Sequence, residues 1–120
     1  TRAIAAGADG LIVSNHGGRQ LEAAPHPLER IGAIRAVVGR KLPLVVDSGI
    51  QSGLDIVKAL ACGADFVMIG RAFMYAVAAL GKDGGEHAAA VLLEEMRDVM
   101  AQLGVEFLAG LREIEISRRG

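Results

Sequence analysis

The chain has 120 residues, a normal size for one domain, and its 13 lysines and arginines against 14 aspartates and glutamates leave a net charge of −1, so no electrostatic case exists for nucleic acid as a partner. It is 52% hydrophobic with 16 glycines and 3% aromatic residues, which suits a buried parallel sheet wrapped by helices better than a disordered segment. Its single cysteine, Cys62, excludes an internal disulfide and fits a reducing compartment, and its charge-free stretches fall short of the about 20 apolar residues that span a bilayer.

Thr1 to Ala8 reads as the last turns of a helix ended by Gly7. Gly10 to Asn15 follows as a strand whose Leu11-Ile12-Val13 core breaks into a Gly-rich polar turn, as buried parallel strands do when they deliver their C-terminal ends to a loop. Ile31, Ile34, Val37 and Val38 then recur at helical spacing up to Gly39, and Leu44 to Asp47 is the second strand candidate. Ser52 and Asp55 have the spacing of a capping box for a helix that runs through Ile56, Val57 and Leu60 to Cys62 and stops at Gly63. Phe66 to Gly70 is the third strand candidate, and Gly63-Ala64-Asp65 before it echoes Gly7-Ala8-Asp9 before the first, the signature of a repeated helix-to-strand passage. A short apolar helix is expected from Arg71 to about Leu80, and a longer one from about Glu86 to Leu103 with Val91, Leu92, Met96, Val99 and Met100 as its stripe and Gly104 at its end. Leu111 and Ile114 suffice for one short docked helix, and the paired basic residues Arg118-Arg119 close the chain. Strands alternating with helices indicate βα units and a parallel sheet in one structural unit, residues 1–120.

Chemistry concentrates at the ends of these strands. In Ser14-Asn15-His16-Gly17-Gly18-Arg19-Gln20, histidine offers a base that works near neutral pH and arginine offers a fork for a carboxylate, a pairing suited to an anionic substrate that gives up a proton. Asn15 and Gln20 read equally as packing or turn residues. Between the second strand and the capped helix, the amides of Asp47-Ser48-Gly49-Ile50-Gln51-Ser52-Gly53 and the positive end of the helix would welcome an anion. Gly70-Arg71 adds a close-approaching amide and a full positive charge. Asp9, Asp55 and Asp65 read as turn and cap residues, His26 and His87 as surface histidines, and Met68, Met74, Met96 and Met100 as core fillers. No Cys/His grouping has metal-ligand spacing, so no metal is expected.

The Ser14–Gln20 string, with Asp47-Ser48-Gly49-Ile50 and Gly70-Arg71, resembles the FMN-dependent α-hydroxy acid oxidases and dehydrogenases, over a stretch from about Ala3 to Ile116. The string is quite specific to that family, whereas the Asp-x-Gly-Ile and Gly-Arg elements are shared by many phosphate-binding barrels. The resemblance implies an α/β fold, a (β/α)8 TIM barrel, of which about three βα units and the C-terminal helices lie here, because a whole barrel takes roughly 250 residues. With no methionine at Thr1, the expectation is the C-terminal part of a longer enzyme; a self-contained three-stranded protein is the alternative, though its sheet edges would stay unpaired.

On this resemblance the reaction is oxidation of an L-2-hydroxy acid to the 2-keto acid, with FMN as cofactor. His16 is then the base, whether for the carbon-bound or the hydroxyl proton, and Arg19 holds the substrate carboxylate. Ser14 would bond the flavin ring; Asp47, near the ribityl chain, together with Ser48, Gly49, Ile50, Gln51, Gly70 and Arg71 would hold the rest of the cofactor, its phosphate included. The chain departs from the family at Gln51, where arginine is usual, at Ser52, often a second arginine, and at Ser48, more commonly glycine. Weaker FMN binding is the expected cost of Gln51, since a charge-assisted hydrogen bond is lost. Other partners expected are oxygen, a quinone or a cytochrome as electron acceptor and further copies of the full-length protein in a homo-oligomer. The expected location is cytoplasmic, with membrane association as the alternative. Two competing readings are another phosphate-binding barrel, such as a type 2 isopentenyl diphosphate isomerase or an IMP dehydrogenase-like enzyme, and a non-catalytic chain that binds a phosphate or a partner. The first lacks the Ser14–Gln20 string, and intact His16 and Arg19 speak against the second.

Overall fold

A computed structural model describes residues 2–117; Thr1 and the Arg118-Arg119 pair lie outside them. In chain order the helices and strands are α1 (Arg2–Ala5), β1 (Leu11–Val13), α2 (Pro27–Val38), β2 (Leu44–Val46), α3 (Gly53–Ala61), β3 (Phe66–Val67), α4 (Arg71–Leu80) and α5 (Gly84–Gln102), with 3-10 turns at His16–Gly18, Gly81–Asp83 and Leu108–Glu113. The strands form one parallel sheet in the order β1-β2-β3, with Leu11 opposite Leu44 and Val45 opposite Phe66. Each strand is shorter than its apolar run suggested. β1 and β3 have a hydrogen-bonded neighbour on one side only, so pairing reaches no further than β2 carries it: Asp47 N still donates to Val13 O at 3.2 Å and Met68 N to Val46 O at 2.9 Å, and beyond them the chains part into loops.

Alternation along the strands divides the sheet into two unlike faces. Leu44 and Val46 are fully buried and pack with Ile31 of α2, Ile56 and Ala59 of α3 and Leu92 of α5, while Leu11, Val13 and Val67 border the same core. On the opposite face Ile12 is 62% and Phe66 63% exposed, flanking half-buried Val45, and Met68 lies exposed beyond them. Parallel sheets bury both faces, and in a barrel this second face would point to the interior. Helix periodicity predicted most inward positions, but Val37 and Val91, assigned to the buried stripes, are exposed, Val91 in a small cleft it lines with Ala72 and Ala76 of α4. A second small core joins Val57, Met100 and Leu111, so the 3-10 turn near the C-terminus docks on α3 and α5 as the Leu111 spacing suggested.

The N-terminal end of the sheet is closed by Asp65. Its carboxylate accepts from Leu44 N at 2.9 Å, from Arg112 Nη2 at 2.8 Å and from Arg35 Nη2, and Arg35 also donates to the carbonyls of Gly63, Gly39 and Leu42. Burial alone would raise this carboxyl, but the Leu44 amide, the Arg35 hydrogen bond and the charges of Arg35 and Arg112 outweigh it and hold the group below its ordinary 3.8. A carboxyl lowered in the folded state stabilises fully above its unfolded value, and that stabilisation is lost as pH falls through the folded value, here in strong acid. Asp65 is thus more than the turn residue its sequence suggested.

Candidate functional site

At the opposite end of the sheet, the loops after β1, β2 and β3 enclose a cleft of about 510 Å³, within the usual range for a ligand site. His16, Arg19, Asp47, Ser48, Gly49, Ile50, Gln51, Gly70 and Arg71 all line it, so every expected site residue except Ser14 meets in one place. The exposed Ser14 turns its hydroxyl back on its own loop, where it accepts from His16 N at 3.0 Å. Gly17, Met68, Ile69, Met74 and Tyr75 complete the wall. Met68 and Met74 were expected in the core; instead they are 49% and 67% exposed, because Met68 continues the uncovered face of β3 and Met74 faces out from the first turn of α4.

The β1 loop owes its shape to local bonds. Asn15 Oδ1 accepts from Gly18 N at 3.2 Å, which closes the turn over His16 and Gly17. Within that turn His16 has φ +56°, and across the cleft Ser48 has φ +72°; among the described residues these alone, apart from glycines, have positive φ. The Ser48 hydroxyl spans the two loops: Oγ accepts from Gly17 N at 3.0 Å and Asn15 N at 3.3 Å and donates to Asp47 Oδ1 at 2.7 Å. Gly49 follows at φ +78°, and a Cβ there would lie 2.5 Å from His26 Nε2. His26 is accordingly half-buried rather than a surface histidine, and its Nδ1 accepts from Leu28 N at 3.3 Å to cap α2.

Anion-binding capacity divides unequally between the next two helices. At α3 the capping box forms as expected, with Ser52 Oγ accepting from Asp55 N at 3.2 Å. Asp55 Oδ2 also accepts from Gln51 N and Ser52 N, both at 3.1 Å, and Glu95 Oε2 accepts from Gly53 N at 2.7 Å. Two carboxylates therefore hold the amides of Gln51, Ser52 and Gly53 at the α3 start. The close approach needs Gly53, since a Cβ there would collide with the α5 backbone at Glu95 and Met96. At α4, by contrast, Gly70 makes no side-chain cap bond, and the first internal bond is Met74 N to Gly70 O at 3.1 Å. The amides of Arg71, Ala72 and Phe73 thus lack acceptors within the helix. Arg71 adds its charge there and reaches over the β1 loop, so that a Cβ on Gly17 would sit 3.7 Å from its Nη2. At this second start open amides, an arginine and the side-chain-free Gly70 converge, an arrangement suited to an anion.

Comparison with known proteins agrees with the resemblance. The family model described as FMN-dependent dehydrogenase matches residues 1–118. A 4-hydroxymandelate oxidase of Amycolatopsis orientalis is 46% identical over 113 residues, 94% of this chain and 32% of that protein. An L-lactate oxidase of Alicycliphilus denitrificans is 50% identical over 107 residues, 89% of this chain and 29% of that protein. Among solved structures, a mandelate oxidase with a monooxide FMN adduct superposes with a TM-score of 0.90 at 46% identity, covering 95% of this chain and 36% of that one. The chain therefore spans about a third of the length of the relatives it matches.

Proposed function

The chain belongs to the FMN-dependent dehydrogenase family, and from that premise we propose that it supplies the base, the carboxylate anchor and much of the phosphate site of an enzyme that oxidises a small L-2-hydroxy acid to the 2-keto acid on a (β/α)8 barrel. FMN, when bound, supplies the acceptor for the two electrons that leave the substrate. His16 takes up the proton released from the hydroxy acid, and its placement on a turn fixed at both ends limits the directions in which the imidazole can approach. Arg19, three residues on and in the same cleft, binds the carboxylate with its guanidinium fork and so fixes which carbon faces the base. Arg71 and the open α4 start take the cofactor phosphate. The single observation behind this reading is that one cleft holds His16 and Arg19 together with the Asp47–Gln51 loop and Gly70-Arg71.

The test is His16→Ala in the full-length, FMN-loaded protein. Flavin reduction by hydroxy acid should slow by about 10²- to 10⁴-fold while the flavin stays bound, the range that a positioned base contributes. A rate within a few-fold of wild type in stopped-flow would remove His16 from that role.

A further inference from the structure

We propose that Ser48 is a positioning residue whose hydroxyl clips the His16 turn to the loop on the cofactor side of the cleft; this rests on the reading of His16 as the base. His16 and Ser48 are the non-glycine residues with positive φ among those described, and both lie in the cleft. Such a backbone is costly for a residue with a Cβ and persists where its surroundings over-determine it. At Ser48 the surroundings are the three bonds of one oxygen. It accepts from the amides of Asn15 and Gly17, which flank His16 on either side, and donates to Asp47 next to it.

The partners lie 33 and 31 residues away in sequence, so these bonds carry no local turn requirement. What they fix is the height and tilt of the His16 backbone relative to the Asp47–Gln51 loop. Asp47 is an ionisable partner of Ser48 Oγ, and it is the acceptor of its proton. A base must be held within a fraction of an ångström of its proton to be effective, and a turn tied to its own loop alone would leave that distance to thermal motion. The clip hands the positioning of the base to the same loop that borders the cofactor, so that base and cofactor move as one body.

Two variants of the full-length, FMN-loaded protein separate hydroxyl from backbone. Ser48→Ala removes the bonds and keeps the Cβ at φ +72°, and Ser48→Gly removes both bonds and strain. In both, amide hydrogen exchange at Asn15 and Gly17 should speed up about tenfold, the worth of a lost pair of ordinary hydrogen bonds, while the Asp47 amide, bonded to Val13 O, stays as protected as in wild type. The rate constant for flavin reduction should fall by about tenfold with the half-saturating concentration of hydroxy acid changed less than about threefold, because positioning of the base acts on the chemical step more than on binding. Unchanged exchange at Asn15 and Gly17 overturns the proposal. So does a wild-type reduction rate in Ser48→Gly with a loss in Ser48→Ala, since strain and not the hydroxyl would then govern. If wild-type protein proves not to be reduced by any 2-hydroxy acid, the reaction assigned to His16 falls, and the exchange measurement, which needs no substrate, still decides Ser48.

Discussion

α3 and α4 both begin at the rim of the cleft, yet α3 starts behind the carboxylates of Asp55 and Glu95, whereas α4 starts at Gly70 with no side-chain cap and an arginine as its first residue. Every helix start offers unpaired amides and a partial positive charge. At α3 that offer is taken up inside the protein, which fastens the helix to α5 and stabilises the fold. At α4 it is left open toward the cleft, beside Arg71, Gly49 and Gly70. The same local physics thus serves structure in one place and leaves an open start beside the cleft in the other, and the side chains around the first turn decide which.

The sharpest way to break this contrast is Arg71→Gln. A hydrogen bond to a charged group is worth about 1.5 to 3 kcal/mol, so FMN affinity should fall by about tenfold to a hundredfold when apoprotein is titrated. A change below threefold would mean that the phosphate does not rest on α4. The next largest effect is expected from Gln51→Arg, which brings a cation to the cleft between the two starts. Affinity for FMN should rise by about tenfold, a gain of about 1 to 2 kcal/mol after side-chain entropy and desolvation, with little change in the KM for hydroxy acid. No gain would show that the new guanidinium is drawn to Asp55 or Glu95 instead, which would extend the description of α3 as an acidic start.

Much of the fold and of the cleft could be read in the sequence, and the part that could not, this division included, has a common cause. His16 and Arg19 of the Ser14–Gln20 string, the glycine stops and the Ser52/Asp55 spacing depend on neighbours within a few residues, and the structure places them as expected, Ser14 excepted. Glu95 reaches Gly53 across 42 residues and Ser48 reaches Gly17 across 31, and no periodicity signals such a meeting. His26 was read as a surface histidine for the same reason, since its approach to Gly49 joins the α2 start to the β2 loop across 23 residues. Met68 and Met74 failed as core residues because methionine is read as a filler wherever it occurs, while the uncovered face of β3 and the first turn of α4 turn them toward the cleft.

Glu95→Gln makes the smallest change and addresses the comparison most directly. Glutamine keeps an oxygen that can accept from Gly53 N, so the bond that seats α3 on α5 survives while one of the two negative charges at the α3 start is removed. A charge at a helix start is worth about 0.3 to 1 kcal/mol, and that amount should appear twice with opposite signs. Unfolding of the full-length protein should become easier by about that much, because the dipole loses its partner. FMN affinity should rise by about two- to fivefold, because the phosphate no longer feels a carboxylate behind Gln51, with which Glu95 lines a smaller neighbouring cleft. Both effects should shrink together as salt is raised, since a partly exposed charge is screened over about 10 Å at 0.1 M. Weaker FMN binding in this variant would reverse the picture, with Glu95 then serving to hold the α3 start in a shape the phosphate needs.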